Sequence, residues 1–302
     1  MARTTTRLAP VLGAALLAGA WTGAAAARDA PAPAPVGVHG LHIALARPAP
    51  FLRSQTALVV DQHSRGAVLQ KNTDRVGPIA SITKLMTAMV LLDAHLPMDT
   101  PIRITPADVD HLKGSRSRLA VGATLTRGRL LKLALMASEN RAAAALARTY
   151  PGGKQAFVAA MNRKAARLGM DHSHFADPTG LNPDNIAAAR DLARLVEAAS
   201  HYGPIRDATT THSMKVSFRI GHRRRHLTYV NTDPLVRHAD WRIGLSKTGY
   251  ISEAGRCLVI KANVAGRRTI IVLLNSWGRL SGFGDANRIR HWLEKDRHLA
   301  SE

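Results

Sequence analysis

The amino-acid sequence predicts an α+β fold in which one antiparallel sheet is covered by helices. Three observations support this. Short β-favouring runs stand at both ends of the folding region, at 56–70 and at 241–275. Between them, from 81 to 200, apolar residues recur at helical spacing, broken by Gly, Pro, Ser and Asp. A further helical pattern follows the last strand-like run, so the two groups of strands are expected to meet in one sheet with helices packed over it.

The elements follow in order. Arg3 and Arg7 precede an uncharged stretch from Leu8 to Ala27 that ends in four alanines, the layout of a secretory signal spanning 1–27 with cleavage near Ala27. Its Ala, Gly and Thr content is weakly apolar for a membrane span, so no stable membrane anchor is expected after cleavage, and the location is periplasmic or otherwise extracytoplasmic. Residues 28–53 form an Ala/Pro-rich linker, in which 29–36 alternates Ala and Pro. The domain, 54–302, opens with strand-like runs at 56–60 and 66–70 around a polar turn. Helices are expected at 81–92, 127–135, 139–150, 154–168 and 188–200. Strands follow at 241–247, 256–263 and 269–275, joined through the glycine-bounded segment 249–255 and through Ala265-Gly266. In the closing helix, 285–295, Ala286, Ile289, Trp292 and Leu293 share one face, as in a helix packed on a sheet.

Composition narrows the class. Hydrophobic residues make up 46% of the 302 residues and charged residues 21%, which suits a packed domain and argues against disorder. The 42 Lys plus Arg against 21 Asp plus Glu give a net charge of +21, a surface that attracts polyanions. Only His222-Arg223-Arg224-Arg225-His226 forms a dense basic run. It lacks interleaved aromatics, so it reads as a solvated loop and no nucleic-acid partner is expected. Cys257 is the single cysteine and lies in an apolar run, so it is expected to be a buried small side chain.

Three short motifs occur in order: Ser81-Ile82-Thr83-Lys84, Ser138-Glu139-Asn140 and Lys247-Thr248-Gly249. The first two are each expected about once by chance in a chain this long, and the third far less often. Ser81 and Lys84, three apart at a helix start, share a face, and a lysine desolvated by Leu85, Met86, Ala88 and Met89 loses its proton readily and can activate the hydroxyl. Ser138 offers a hydroxyl for proton transfer, and Asn140 offers a donor and an acceptor to a peptide-like substrate. Lys247 and Thr248 can hold a carboxylate, while Gly249 lets backbone approach backbone. The competing structural readings are helix N-caps for Ser81 and Ser138 and a strand-ending turn for Gly249.

These motifs match the S-x-x-K, S-x-N and K-T-G of the serine D-alanyl-D-alanine peptidases of the penicillin-binding-protein family. The chain resembles that family over roughly 54–295, most of all the D-alanyl-D-alanine endopeptidases of the penicillin-binding protein 7 type. Agreement extends through 78–93 (PIASITKLMTAMVLLD), 133–147 (LALMASENRAAAALA), 178–181 (PTGL) and 245–259 (LSKTGYISEAGRCLV). The resemblance implies the β-lactamase/transpeptidase-like fold, a five-stranded antiparallel sheet flanked by helices. It implies Ser81 as nucleophile, Lys84 as proton acceptor, Ser138 and Asn140 in the relay, and Lys247, Thr248, Gly249 and Tyr250 in substrate binding, with the backbone N–H groups of Ser81 and Tyr250 receiving the oxyanion. Its substrates would be peptidoglycan peptide stems, its covalent inhibitors β-lactams, and no metal or other cofactor would be needed.

Four rivals compete with this reading. A D,D-carboxypeptidase uses the same motifs, but many carry a further C-terminal domain and amphipathic anchor. A class A β-lactamase adds an E-x-x-L-N segment, whereas 177–182 here has one residue too many. A zinc peptidase is suggested by His172 with His174 and by His222 with His226, but arginines around the second pair repel a cation. A non-catalytic cell-wall-binding protein would leave the retained Ser81, Lys84 and Lys247 without a purpose.

Overall fold

The computed structural model describes residues 48–299 except 221. The signal segment and residues 28–47 of the linker lie outside the described residues. In chain order the elements are β1 (Ser54–Asp61), β2 (Ala67–Lys71), β3 (Gly77–Pro78), a 3-10 turn (Ala80–Ile82) and α1 (Thr83–Asp93). Then come β4 (Pro101–Arg103), β5 (Thr124–Thr126), α2 (Arg127–Met136), α3 (Asn140–Arg148), α4 (Gly153–Arg167), β6 (Ile186–Ala187), α5 (Ala189–Ala199) and α6 (Gly203–Thr210). The chain closes with β7 (Ser213–Ile220), β8 (Arg223–Val230), β9 (Arg242–Ile251), β10 (Gly255–Val264), β11 (Arg267–Ser276) and α7 (Ser281–Leu299).

The principal sheet has five strands in the order β2-β1-β11-β10-β9, every neighbouring pair antiparallel. The first strand of the domain thus lies beside the last, with Thr56 opposite Leu274 and Val60 opposite Ile270. Both faces are covered, which is why β1 and β11 read as continuous apolar runs and not as alternating ones. Leu58, Val60, Ile270 and Val272 enter one core with α1 to α6, while Ala57, Val59, Ile271 and Leu273 enter a second core with Ala286, Ile289, Trp292 and Leu293 of α7. The face anticipated for the closing helix is the one it buries. Leu52 is buried in the second core, and Asp285 fixes the chain there by accepting from Arg53 N, Ser54 N and Ser54 Oγ.

Several boundaries differ from expectation. The helix expected at 81 begins at Thr83, because Ser81 lies in the 3-10 turn, and Ser81 caps nothing: α1 has no side-chain cap. The strand expected to stop at Lys247 runs through Gly249 to Ile251, with Gly249 opposite Cys257. Helix α6 and the β7–β8 hairpin were not anticipated. The basic run, read as a loop, supplies most of the exposed start of β8, with Arg224 opposite Arg219. Among the described residues no three His, Cys, Asp or Glu side chains gather as metal ligands, and His226 Nδ1 instead meets Ser217 Oγ at 2.8 Å. Cys257 is buried, and that burial pushes its thiol up to about 11, so it packs as a small apolar side chain.

Candidate active site

Helix α1 is apolar almost all round, and each of its residues from Thr83 to Leu91 is buried. Lys84 sits in that shell with no exposed surface, so its ammonium must find partners inside the protein. It finds three: Nζ lies 2.8 Å from Ser81 Oγ, 2.7 Å from Asn140 Oδ1 and 2.6 Å from the Thr179 carbonyl. Burial lowers its pKa to about 7 against the opposing pull of Asp177 and Glu139. A neutral amine has two protons and one lone pair. With the protons given to Asn140 and Thr179, the lone pair faces the Ser81 hydroxyl, which is the arrangement a base needs.

Ser81 is held from two sides. Gly180, at φ +80°, packs so closely that a Cβ there would stand 1.9 Å from the Ala80 carbonyl oxygen and 2.9 Å from Ser81 N. On the other side β9 approaches, and a Cβ on Gly249 would lie 3.0 Å from Ile79 O, Ala80 Cβ and Ser81 N. Ala80 itself is at φ +49° and Ser138 at φ +56°, left-handed conformations that L side chains adopt at a cost of about 1–3 kcal/mol. Strained backbone thus stands immediately beside Ser81 and at Ser138.

The loop 177–185 is built on Asp177, whose carboxylate accepts from Thr179 N, Gly180 N, Asn182 N, Thr179 Oγ1 and Asn185 Nδ2. Those bonds aim the Thr179 carbonyl at Lys84 and place Gly180 on Ala80. A deacylating carboxylate of the β-lactamase kind is not what this segment presents, since Asp177 serves its own loop. Asn140 opens α3 and also donates to Ser115 Oγ at 2.9 Å. The cap of α3 is Glu139, which accepts from Arg141 N and from Ser117 Oγ, so neither Ser138 nor Asn140 is used as a cap.

Lys247, 1% exposed, donates to Ser138 Oγ at 3.0 Å and to the Thr248 carbonyl at 2.7 Å. Burial, and then the nearby Lys84 charge, hold it well below the usual lysine range. Thr248 Oγ1 bonds Thr232 Oγ1 at 2.6 Å. Ser81, Ser138, Asn140, Thr248, Gly249 and Tyr250 line one open cleft of about 500 Å³, with Ser115, Leu181, Thr232, Arg256, Arg279, Leu280 and Phe283 on its walls. Tyr250 is 58% exposed, with the Arg256 guanidinium 4.6 Å from its ring centre.

All eight residues singled out in the sequence therefore lie at this site, Lys84 and Lys247 beneath it and six on its surface. Sequence reasoning noted Thr179 and Gly180 only within the 178–181 stretch, with no role assigned, and missed Ser115 and Thr232. Asp177-x-Thr-Gly carries the signature of an Asx turn and could have flagged the first pair, whereas Ser115 and Thr232 have no local signal.

The chain is similar to known proteins over most of its length. A family model described as D-alanyl-D-alanine carboxypeptidase matches residues 44–278. A D-alanyl-D-alanine endopeptidase of Pseudomonas aeruginosa is 46% identical over 243 residues, covering 80% of this chain and 78% of the relative. One from Escherichia coli is 41% identical over 245 residues, covering 81% and 78%. Among solved structures, the Streptomyces K15 DD-transpeptidase superposes with a TM-score of 0.75 at 26% identity, covering 82% of this chain and 98% of that one. A D-alanyl-D-alanine carboxypeptidase of Mycobacterium tuberculosis gives 0.72 at 26% identity, covering 83% and 95%.

Proposed function

The chain belongs to the D-alanyl-D-alanine carboxypeptidase family of serine peptidases, and from that premise we propose that it is an exported, penicillin-sensitive D,D-endopeptidase that cuts D-alanyl cross-links between peptidoglycan stems through a Ser81 acyl-enzyme. The observation that carries the chemistry is the contact of Lys84 Nζ with Ser81 Oγ at 2.8 Å, made by an amine whose pKa lies at about 7. Ser81 Oγ attacks the D-alanyl carbonyl as its proton passes to the Lys84 amine. The oxyanion is received by the backbone N–H groups of Ser81 and Tyr250. As the tetrahedral intermediate collapses, the proton reaches the leaving amine by way of Ser138, which lies on the Lys247 side of the cleft. Lys247 and Thr248 bind a substrate carboxylate, whose negative charge restores the lysine to its charged form. Water then releases the acyl group.

Relatives named as endopeptidases at 41–46% identity support the endopeptidase reading over terminal D-Ala removal. The purified mature chain and its Ser81→Ala variant, treated with a fluorescent penicillin, dimeric muropeptides and monomeric pentapeptides, provide the test. Ser81-dependent labelling with dimers converted to monomers is expected. Loss of D-Ala from pentapeptides alone would make it a carboxypeptidase, and absence of both labelling and cleavage would end the enzymatic reading.

A further inference from the structure

The β7–β8 hairpin stands apart from the principal sheet as its own two-stranded sheet. One face is apolar and anchored: Val216, Phe218 and Tyr229 are buried in the main core. The other carries Lys215, Arg219 and Arg224, all exposed, while Arg223 and Arg225, opposite Ile220 and Phe218, are exposed at the tip of the first face. Arg219 lies directly opposite Arg224 in the register, and like charges so placed repel. Among the described residues no carboxylate pairs with any of these five cations, although surface acids elsewhere are used in this way, as between Arg190 and Asp74 or Lys113 and Glu253. The fold therefore holds an uncompensated cluster of positive charge in place.

The hairpin is also tied to the catalytic cleft. Two residues beyond β8, Thr232 lines the cleft and bonds Thr248, while Thr232 N donates to the Met136 carbonyl and Asn231 Nδ2 to the Thr209 and Thr211 carbonyls. At about 3.4 Å per strand residue, the stretch from Thr232 back to Arg225 and Arg223 spans about 24–31 Å. That is too far to touch the peptide being cut, and it is within reach of its neighbours.

From this arrangement we infer that the hairpin is a second, purely electrostatic binding surface for the anionic polymer to which the scissile peptide belongs, engaging the free carboxylates of neighbouring stems while the cleft works on one cross-link. The inference rests on the peptidoglycan reading above. A polymer is favoured over a lipid bilayer because the basic end of the hairpin exposes no large apolar side chain that could enter a membrane, Ile220 being half-buried.

The test uses the mature full chain and an Arg219→Gln/Arg224→Gln/Arg225→Gln variant. All three positions are exposed, and the change removes a repulsive pair, so folding is retained. Three readouts are compared: co-sedimentation with insoluble peptidoglycan over a salt series, flotation with vesicles of zwitterionic and anionic phospholipid, and cleavage of soluble dimeric muropeptides alongside fluorescent-penicillin labelling. If each of the three exposed ion pairs contributes a factor of about two to three, the variant should be retained by peptidoglycan about 8- to 27-fold more weakly at low salt. The difference should vanish as the Debye length falls from about 10 Å at 0.1 M to about 3 Å at 1 M salt. Labelling and soluble cleavage should not change. Equal retention of the two proteins overturns the inference, as does arginine-dependent binding to vesicles without binding to peptidoglycan. Should soluble dimers go uncut while arginine-dependent peptidoglycan retention persists, the endopeptidase reading fails and the surface assignment stands.

Discussion

Replacing Gly180 with alanine should disable the enzyme without touching any group that does chemistry. The new Cβ would stand 1.9 Å from the Ala80 carbonyl oxygen and 2.4 Å from its carbon, where real Cβ atoms essentially never come within 3.0 Å. Relief requires the loop or the Ala80-Ser81 peptide to move by about 1 Å. Neither partner is a flexible side-chain end. Thr83 Oγ1 holds the Ala80 carbonyl at 2.8 Å, and Asp177 holds Gly180 N at 2.6 Å. A displacement of that size at a reacting group costs about 10²-fold in rate, and alanine at φ +80° adds about 1–2 kcal/mol of backbone strain. The second-order rate of Ser81 labelling by a fluorescent penicillin is therefore expected to fall about a hundredfold. A parallel Gly169→Ala variant isolates the strain, because Gly169 shares a positive φ of 65° with nothing within 4 Å of its would-be Cβ. It should lose about 1–2 kcal/mol in denaturant unfolding and keep its labelling rate. Labelling of Gly180→Ala within about threefold of the parent would refute the claim that this glycine sets the position of Ser81.

Further expectations concern the bases and the frame. Acylation by penicillin should rise with pH through about 7, since only the neutral Lys84 accepts the Ser81 proton and its pKa lies there. A rate that is flat from pH 5 to 9 would remove Lys84 from that role. Glu139 raises the pKa of Lys84, so Glu139→Gln should move this acid limb to lower pH; an upward shift would contradict the assignment. Gly249→Ala meets contacts of 3.0 Å and no unfavourable φ, so its labelling should slow less than that of Gly180→Ala, with a stability loss of about 1–3 kcal/mol. At Asp285, burial alone would raise the carboxyl pKa, but hydrogen bonds from Ser54, Arg53 and Arg288 outweigh it and hold the group below the usual range. Its stabilisation is thus present above the unfolded-state pKa of about 4 and is lost as pH falls through the lower folded value. Asp285→Asn should destabilise the protein at pH 7 and progressively less toward pH 3, as read by thermal unfolding.

The helices and sheet strands were legible because hydrophobic periodicity is a local property, and strands buried on both faces, such as β1 and β11, cannot avoid writing Val, Ile and Leu in runs. Ser81 and Lys84 were legible for the same reason, since three residues of helical rise fix their proximity. Other features had more than one local meaning. Gly249 reads either as a close approach of backbones or as a strand-ending turn; it continues the strand opposite Cys257, with Ile79 O and Ser81 N 3.0 Å from where a Cβ would stand. The hairpin was hidden because Arg223, Arg224 and Arg225 mask an alternation whose inward members are few and widely spaced.

What the sequence determined by itself was the set of reactive side chains and the class of fold that could carry them. Only the tertiary structure decided that Lys84 is fully buried against Ser81 with its pKa lowered to about 7. Its pKa depends on complete burial, and its partners are Asn140 and a carbonyl of Thr179, 95 residues away in the chain. The neighbouring Leu85, Met86, Ala88 and Met89 already suggest desolvation, but the through-space hydrogen bonds belong to the packed molecule, and no run of neighbouring residues encodes them.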